Sequence, residues 1–360
     1  MKLNKLEYSG FRNLEKITIE PSDGVNIIYG ENAQGKTNIL EGIWLFSGLK
    51  SFRGAKDSEL VKFGCDKARL RAEFTTSVRL NKAEILIDGG RKPTLNGIPL
   101  KSSAAMIGKF SAVVFSPSFL SVIGDGPSER RKFIDSAICQ LKPAFTGVLT
   151  NYRRLLNQRS VILKDIRKNP SLYSMLDIID EKTAAVGEEL TSYRIDYINA
   201  LSPYVTEIYE GLSSGKEEIS LGYIQKGKRH GESLLELLYS KRNDDILYRI
   251  TSVGPHRDDM DIKINGIPAR TYGSRGQQRS CALALKLGEA AVIKSQTDEQ
   301  PVMLLDDVMS ELDESRQDYI LNHIKDSQVF ITCCDPANVL RLCEGKKIEV
   351  RNGEINERQN

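Results

Sequence analysis

Lys36 and Thr37 close an eight-residue run, Gly30-Glu31-Asn32-Ala33-Gln34-Gly35-Lys36-Thr37, that fits G-x-x-x-x-G-K-[ST]. These residue types suit a phosphate. The glycines let backbone N–H groups turn inward around a β-phosphate. The Lys36 ammonium reaches the β- and γ-phosphates, and the Thr37 hydroxyl is placed to ligand Mg²⁺. Such a loop needs a strand leading in and a helix leading out, because the helix N-terminus adds positive dipole at the anion. Both are legible. Val25-Asn26-Ile27-Ile28-Tyr29 reads as a short buried strand, and Asn38 to Phe46 carries apolar residues at helical spacing. Together they imply a nucleoside triphosphate site.

A second set of reactive groups lies far downstream. Val302-Met303-Leu304-Leu305 reads as a buried strand ending in Asp306-Asp307. A carboxylate at the C-terminal end of a strand beside a phosphate loop can hold Mg²⁺, usually through water, which is the role expected of Asp306 alongside Thr37. Asp307 is then placed to orient or deprotonate an attacking water, so Lys36, Asp306 and Asp307 form the expected catalytic set. Directly before that strand, Ser274-Arg275-Gly276-Gln277-Gln278 puts a serine and a glycine at a helix N-terminus, a second anion-binding end without a ligand of its own. It also reads as a plain N-cap. Arg12 and Asn13 are turn residues that precede the phosphate loop, within reach of a nucleotide there.

The elements that must position these groups occupy both ends of the chain. Strand signals run over Lys2–Tyr8, Ile17–Ile19, Ala68–Ile87 and Ser111–Phe115, with a type I′ hairpin at Asn96-Gly97. From Pro127 to about Leu212 helical periodicity replaces them, with Ser128 as an expected N-cap. Tyr152, Leu155, Leu156, Leu163 and Ile166 share one face there, with Arg153, Arg154, Arg159, Lys164 and Arg167 largely elsewhere, on an expected solvated side. A further long helical stretch spans Asp177 to Tyr197. No heptad persists for three or four repeats, so a compact lobe is expected rather than a coiled arm. Strands return at Glu218–Leu221, Met260–Ile264 and Gln328–Thr332, with hairpin signals at Asn265-Gly266 and Asn352-Gly353. The expected division is a nucleotide lobe from 1–118 and 246–360 with a helical lobe, 119–245, inserted.

The 360 residues carry 51 Lys+Arg against 48 Asp+Glu, a formal charge of +3, so any nucleic-acid binding must come from local basic faces. No apolar run has the length of a membrane span, and Met1 to Lys5 opens straight into a strand pattern without a signal-peptide core. Six scattered cysteines without a C-x-x-C pair fit a reduced, cytoplasmic setting, and three widely spaced histidines show no zinc spacing. Cys139 and Cys281 read as buried small apolar groups.

The ordered set resembles the ATP-binding-cassette ATPases, specifically the SMC-like DNA-repair branch and its RecF family. Gly30 to Thr37 stands as Walker A, Arg12-Asn13 as an F-R-N element thought to touch the nucleotide, and Ser274 to Arg279 as the signature. Leu304 to Asp307 stands as Walker B and Ser310-Glu311-Leu312-Asp313 as the D-loop. Gly126 to Arg131 and Gly254 to Asp259 are similar to two further family segments with no assigned chemistry. The resemblance implies an α/β head built from both ends of the chain. It further implies ATP and Mg²⁺ as cofactors, and Gly30, Glu31, Asn32, Ala33, Gln34, Gly35, Lys36, Thr37, Arg12, Asn13, Ser274, Gly276 and Gln277 as nucleotide-binding residues. A homodimer would close on ATP, with Ser274 and Gly276 capping the γ-phosphate held by Lys36 of the other subunit. It implies slow hydrolysis, binding to junctions of single- and double-stranded DNA without a membrane partner, and RecO- and RecR-like mediators that help load recombinase at gaps. Support of replication restart and the SOS response belongs to the same expectation. The chain departs from the wider cassette pattern in three places. Asp307 replaces a glutamate, Cys333-Cys334 fills the region of a γ-phosphate-sensing histidine, and Ser118 stands where a metal-side glutamine or acid is expected.

Three other readings compete. A transporter-type cassette ATPase predicts a shorter gap between phosphate loop and signature. An SMC-like structural or nuclease-associated ATPase predicts a long heptad arm, and a small-molecule kinase leaves the Ser274 turn unexplained.

Overall fold

The computed structural model describes residues 1–341 and 343–356. From the N-terminus, β1 (Lys2–Phe11), β2 (Leu14–Ile19), β4 (Ala68–Thr75), β5 (Leu80–Ile87), β6 (Arg91–Leu95) and β7 (Ile98–Pro99) pair antiparallel in the order β2-β1-β4-β5-β6-β7. β3 (Val25–Tyr29) leaves that sheet for a second one. There it joins β8 (Ala112–Phe115), β12 (Val302–Asp306), β13 (Val329–Cys333), β14 (Lys346–Arg351) and β15 (Glu354–Asn356), in the order β15-β14-β3-β13-β12-β8. All of its pairings except β14 with β15 are parallel. A strand from residue 25 thus lies between strands from residues 329 and 346, and one head is built from both ends of the chain. β9 (Ile219–Ile224), β10 (Asp259–Ile264) and β11 (Ile267–Pro268) form a small third sheet.

The parallel strands are nearly continuous apolar runs because both of their faces are covered. Alternate residues feed two cores. Ile28, Val114, Leu304 and Phe330 pack towards α1 (Lys36–Leu45) and the antiparallel sheet. Ile27, Val113, Leu305 and Ile331 pack towards the helical side. That side carries the short α2 (Ser121–Gly124), then α3 (Pro127–Leu141), α4 (Pro143–Asp165) and α5 (Leu172–Ser213). After β9 come α6 (Leu234–Ser240), α7 (Arg242–Tyr248), α8 (Ala269–Tyr272) and α9 (Arg275–Thr297), then α10 (Glu314–Ile324) and α11 (Pro336–Leu340). Cys139 and Cys281 are buried, as their apolar settings require.

The helical lobe departs from expectation in three places. α5 has 42 residues, well beyond the expected Asp177–Tyr197, and holds Pro203 in its interior. The missing N–H is outweighed by burial of Leu201, Val205 and Ile208 in the main core. α3 opens at Pro127 with Gly126 as N-cap, not at Ser128, because proline suits a first turn whose N–H has no helical partner. Arg159 does not lie on a solvated side. It is fully buried and donates to Asp180 and Asp245, each at 2.7 Å, and to Thr251 Oγ1 at 2.9 Å. Arg242 adds bonds to Asp177 at 2.6 Å and to Asp180 at 2.8 Å. Arg153 and Arg154 are exposed as expected.

The two segments without assigned chemistry meet each other. Arg130 forms a two-pronged bond with Asp259 at 2.7 and 2.8 Å, and Arg131 donates to the Asp258 carbonyl at 2.7 Å. Arg194 of α5 grips Asp135 and donates to the Pro255 carbonyl at 2.7 Å. Planar, bidentate arginine bonds fix orientation as well as distance, so these residues lock α3, α5 and β10 into one body packed against α9. His256 belongs to the same network, bonded to Tyr152 Oη at 2.9 Å, and burial pushes its imidazole down to about 4, so it is a neutral structural residue.

Candidate nucleotide site

β3 delivers the chain into the phosphate loop, and the loop's shape depends on glycine. Gly30 has φ +150°, and a Cβ there would lie 2.3 Å from the Val350 carbonyl oxygen. Gly35, the N-cap of α1, has φ +116°, and a Cβ would meet Asn13 Oδ1 at 2.8 Å. The loop is held from outside by both ends of the chain. Asn13 Nδ2 donates to the Ala33 carbonyl at 3.2 Å, and Gly353 N donates to the Gln34 carbonyl at 3.1 Å, with Asn352 N on the Gln34 side chain.

Inside the loop, Lys36 is 5 % exposed and its ammonium donates to the carbonyls of Gly30 at 2.7 Å and Glu31 at 2.9 Å. Its third neighbour is Cys334 Sγ at 3.8 Å, and that thiol donates to Asn32 Oδ1 at 3.1 Å. Cys334, just past the end of β13, therefore touches the loop from the region where a sensing histidine is expected. Thr37 Oγ1 donates to Asp306 Oδ1 at 2.7 Å, bringing together two residues 269 positions apart. Thr332 Oγ1 donates to the same oxygen at 3.0 Å and accepts from Asp307 N at 2.9 Å. Asp307 has φ +51°, a left-handed backbone that costs a non-glycine residue on the order of 1 kcal/mol. Desolvation raises its carboxyl above the usual range; the Lys36 ammonium opposes the shift, and Asp306 and Glu311 reinforce it.

Arg12 and Asn13 divide their roles. Asn13 reaches the loop. Arg12 forms two 2.8 Å bonds to Glu41, which is fully buried in α1, and a third to the Glu59 carbonyl at 3.0 Å. Its guanidinium therefore fixes α1, and through α1 the position of Lys36 and Thr37.

The Ser274 turn lies apart from this loop. Ser274 Oγ accepts from Gln277 N at 3.2 Å, and Gln277 Oε1 accepts from Ser274 N at 2.7 Å, a reciprocal cap at the start of α9. Gln277 Nε2 is spent on Glu217 at 2.7 Å, so in this chain Gln277 braces the turn. Ser274 and Arg275 are exposed, and a Cβ on Gly276 would meet only the Arg316 guanidinium at 3.6 Å and Ser274 Oγ at 3.9 Å. Arg279 donates to the Glu311 carbonyl and Arg316 to Ser280 Oγ, each at 3.0 Å, tying Glu311 and α10 to α9. Among the described residues no hydrogen bond or ion pair joins the Ser274 turn to the phosphate loop of the same chain.

A family model described as "RecF/RecN/SMC N terminal domain" matches residues 2–355. A protein of Agathobacter rectalis named DNA replication and repair protein RecF is 40 % identical over 339 residues, covering 92 % of each chain. One of the same name from Clostridium perfringens is 39 % identical over 363 residues, covering 99 % of each. The chain belongs to the RecF family. RecF relatives of known structure agree in shape. The recombination mediator protein RecF-ATP in the RecFOR pathway superposes with a TM-score of 0.91 at 36 % identity, covering 99 % of this chain and 98 % of that one. An SMC head domain from Pyrococcus furiosus aligns with a TM-score of 0.55 at 18 % identity, which shows a shared fold alone. The RecF assignment settles the architecture as an SMC-type ATPase head with an inserted helical lobe. Among the described residues no helix is long and apolar enough to cross a membrane.

Thr332, Glu41 and Arg316 are the supporting residues that motif spacing does not single out. Only the strand register, which sets Thr332 opposite Asp306, exposes the first of them.

Proposed function

We propose that this RecF-family chain is an ATP-gated DNA-binding protein of recombinational repair, in which two copies close on ATP and hydrolysis releases them. The observation that carries this reading is the separation of two half-sites on one chain. One half holds Lys36, Thr37 and Asp306 around a single phosphate loop, with Thr37 bonded to Asp306, and the other is the exposed, anion-seeking end of α9. A second copy supplies each with its complement, so Ser274 and Gly276 of one subunit face the γ-phosphate on Lys36 of the other.

Within the site, Lys36 exchanges its carbonyl acceptors for β- and γ-phosphate oxygens, and the amides of Glu31 to Gly35 face the β-phosphate. The donor set suits Mg²⁺: a hydroxyl and a carboxylate oxygen already 2.7 Å apart. Thr37 and Asp306 would hold Mg²⁺, which would supply positive charge against the phosphate oxygens. Asp307 accepts a proton from the attacking water as the bond between the γ-phosphorus and the bridging oxygen breaks, giving ADP and phosphate. Loss of the shared γ-phosphate then removes the ligand that favours closure. In this reading 1–118 and 246–360 form the nucleotide lobe and 119–245 the inserted lobe. The protein works in the cytoplasm with RecO- and RecR-like mediators, and the name of its relatives' pathway supports that partnership.

The proposed proton acceptor is tested by Asp307→Asn. Turnover is expected to fall roughly 10²-fold or more, within the usual range for losing a general base, while the ATP-bound dimer outlives the wild-type one. Single-turnover hydrolysis and dimer lifetime read both, and unchanged turnover removes Asp307 from the role.

A further inference from the structure

We infer that the outer face of α4 is a track for the phosphate backbone of nucleic acid, an inference that rests on the DNA-binding reading above. Between Lys142 and Lys168 the sequence holds seven Lys+Arg and a single carboxylate, Asp165. Arg159 alone among the seven is consumed by buried aspartates. Arg153, Asn157, Val161 and Lys164 recur at three- and four-residue spacing on the exposed side of α4, with Arg154 one position over and Arg167 and Lys168 just beyond the helix end. Among the described residues Arg153, Arg154, Lys164, Arg167 and Lys168 have no carboxylate partner.

The open face of the antiparallel sheet is different. There Lys5 pairs with Glu7 at 2.7 Å, Arg71 with Glu84 at 2.6 Å and Lys82 with Glu73 at 2.7 Å, so that face is close to neutral. In a chain whose formal total is only +3, α4 and its end gather five cations that no carboxylate neutralises. From Arg153 to Lys164, within α4, the row is ~17 Å long at 1.5 Å per residue. That length matches about five phosphate steps along one strand of a duplex. Asn157 and Gln158 supply neutral donors between the cations, suited to phosphate and sugar oxygens. Val161 is the lone exposed large apolar residue of α4, so the face lacks the hydrophobic cluster that a lipid surface needs. Its occupant is a polyanion held by charge, without base readout.

The test uses the full chain with Arg153→Glu, Arg154→Glu and Lys164→Glu combined, all at exposed positions. A control variant carries Lys5→Glu and Lys82→Glu on the sheet. Binding of a labelled duplex–single-strand junction in ATP is measured by anisotropy across a salt series, with dimerisation followed in parallel by sedimentation. The α4 variant is expected to bind at least about tenfold more weakly, with a salt slope smaller by about one for each phosphate it no longer neutralises, while the control and the dimer are unchanged. Equal affinity and slope for the α4 variant overturn the inference. So does a variant that loses ATP-dependent dimerisation, which would assign the face to closure instead. Failure of the wild-type protein to bind the junction at all defeats the DNA-binding reading itself, a distinguishable outcome.

Discussion

Lys36→Ala is expected to abolish ATP binding at micromolar nucleotide. The lysine is only 5 % exposed, and its acceptors are two carbonyls of its own loop, which phosphate oxygens outcompete because they carry full charge. Truncating one partner of a buried charge pair costs about 2–5 kcal/mol, or roughly 30- to several-thousand-fold in affinity. Calorimetric titration of ATP into the variant reads it directly. Lys36 makes no bond to the α4–α5 core, so the variant is expected to remain folded, as its urea unfolding transition would show. Retention of affinity within about threefold of wild type would falsify the phosphate role of this lysine.

Arg159→Ala is expected to be the most destabilising single change in the helical lobe. Asp180 and Asp245 are both fully buried, and the substitution strips Asp245 of its cation and Asp180 of one of two. Breaking a buried ion pair from one side costs about 3–5 kcal/mol, a large part of the stability of a typical domain. The urea midpoint falls accordingly, and ATP binding by the folded fraction is retained because Arg159 and its partners make no bond to the phosphate loop. Arg159→Met combined with Asp180→Asn and Asp245→Asn is expected to recover much of the loss, since it removes the uncompensated carboxylates. A loss below about 1 kcal/mol for Arg159→Ala would show that water reaches the two aspartates.

These two residues mark what can be read from a chain and what cannot. Lys36 was legible because its chemistry is contiguous: strand, glycines, lysine, threonine and helix occupy one short run. Asp306 was legible because a strand end is where a carboxylate can reach that run. The head's assembly from both termini followed from placing Lys36 and Asp306 in one site. Arg159 was not legible, because helical periodicity sorts residues by type, and its partners lie 21 and 86 positions away. The same holds for Arg12. Its sequence neighbourhood points to the phosphate loop, but its guanidinium turns to Glu41, a buried carboxylate on α1 that lies 29 positions away. Gln277 shows the limit from the other direction. Its motif implies a nucleotide ligand, whereas its amide is occupied by Ser274 and Glu217 and serves to set the angle of the exposed Ser274 turn.

The measurement that bears most directly on closure around ATP is sedimentation velocity of the wild-type chain and of Ser274→Arg, each in ATP and in ADP. Ser274 is exposed and lies outside the phosphate loop, so the substitution is expected to leave nucleotide binding by the monomer intact while placing a bulky cation where the proposed closure seats the partner's γ-phosphate. The expected result is a wild-type dimer in ATP alone and a Ser274→Arg monomer in both nucleotides, with equal ATP affinity for the two proteins. Equal dimerisation of Ser274→Arg, or a wild-type dimer indifferent to the nucleotide, would contradict the placement of this turn against the opposing γ-phosphate.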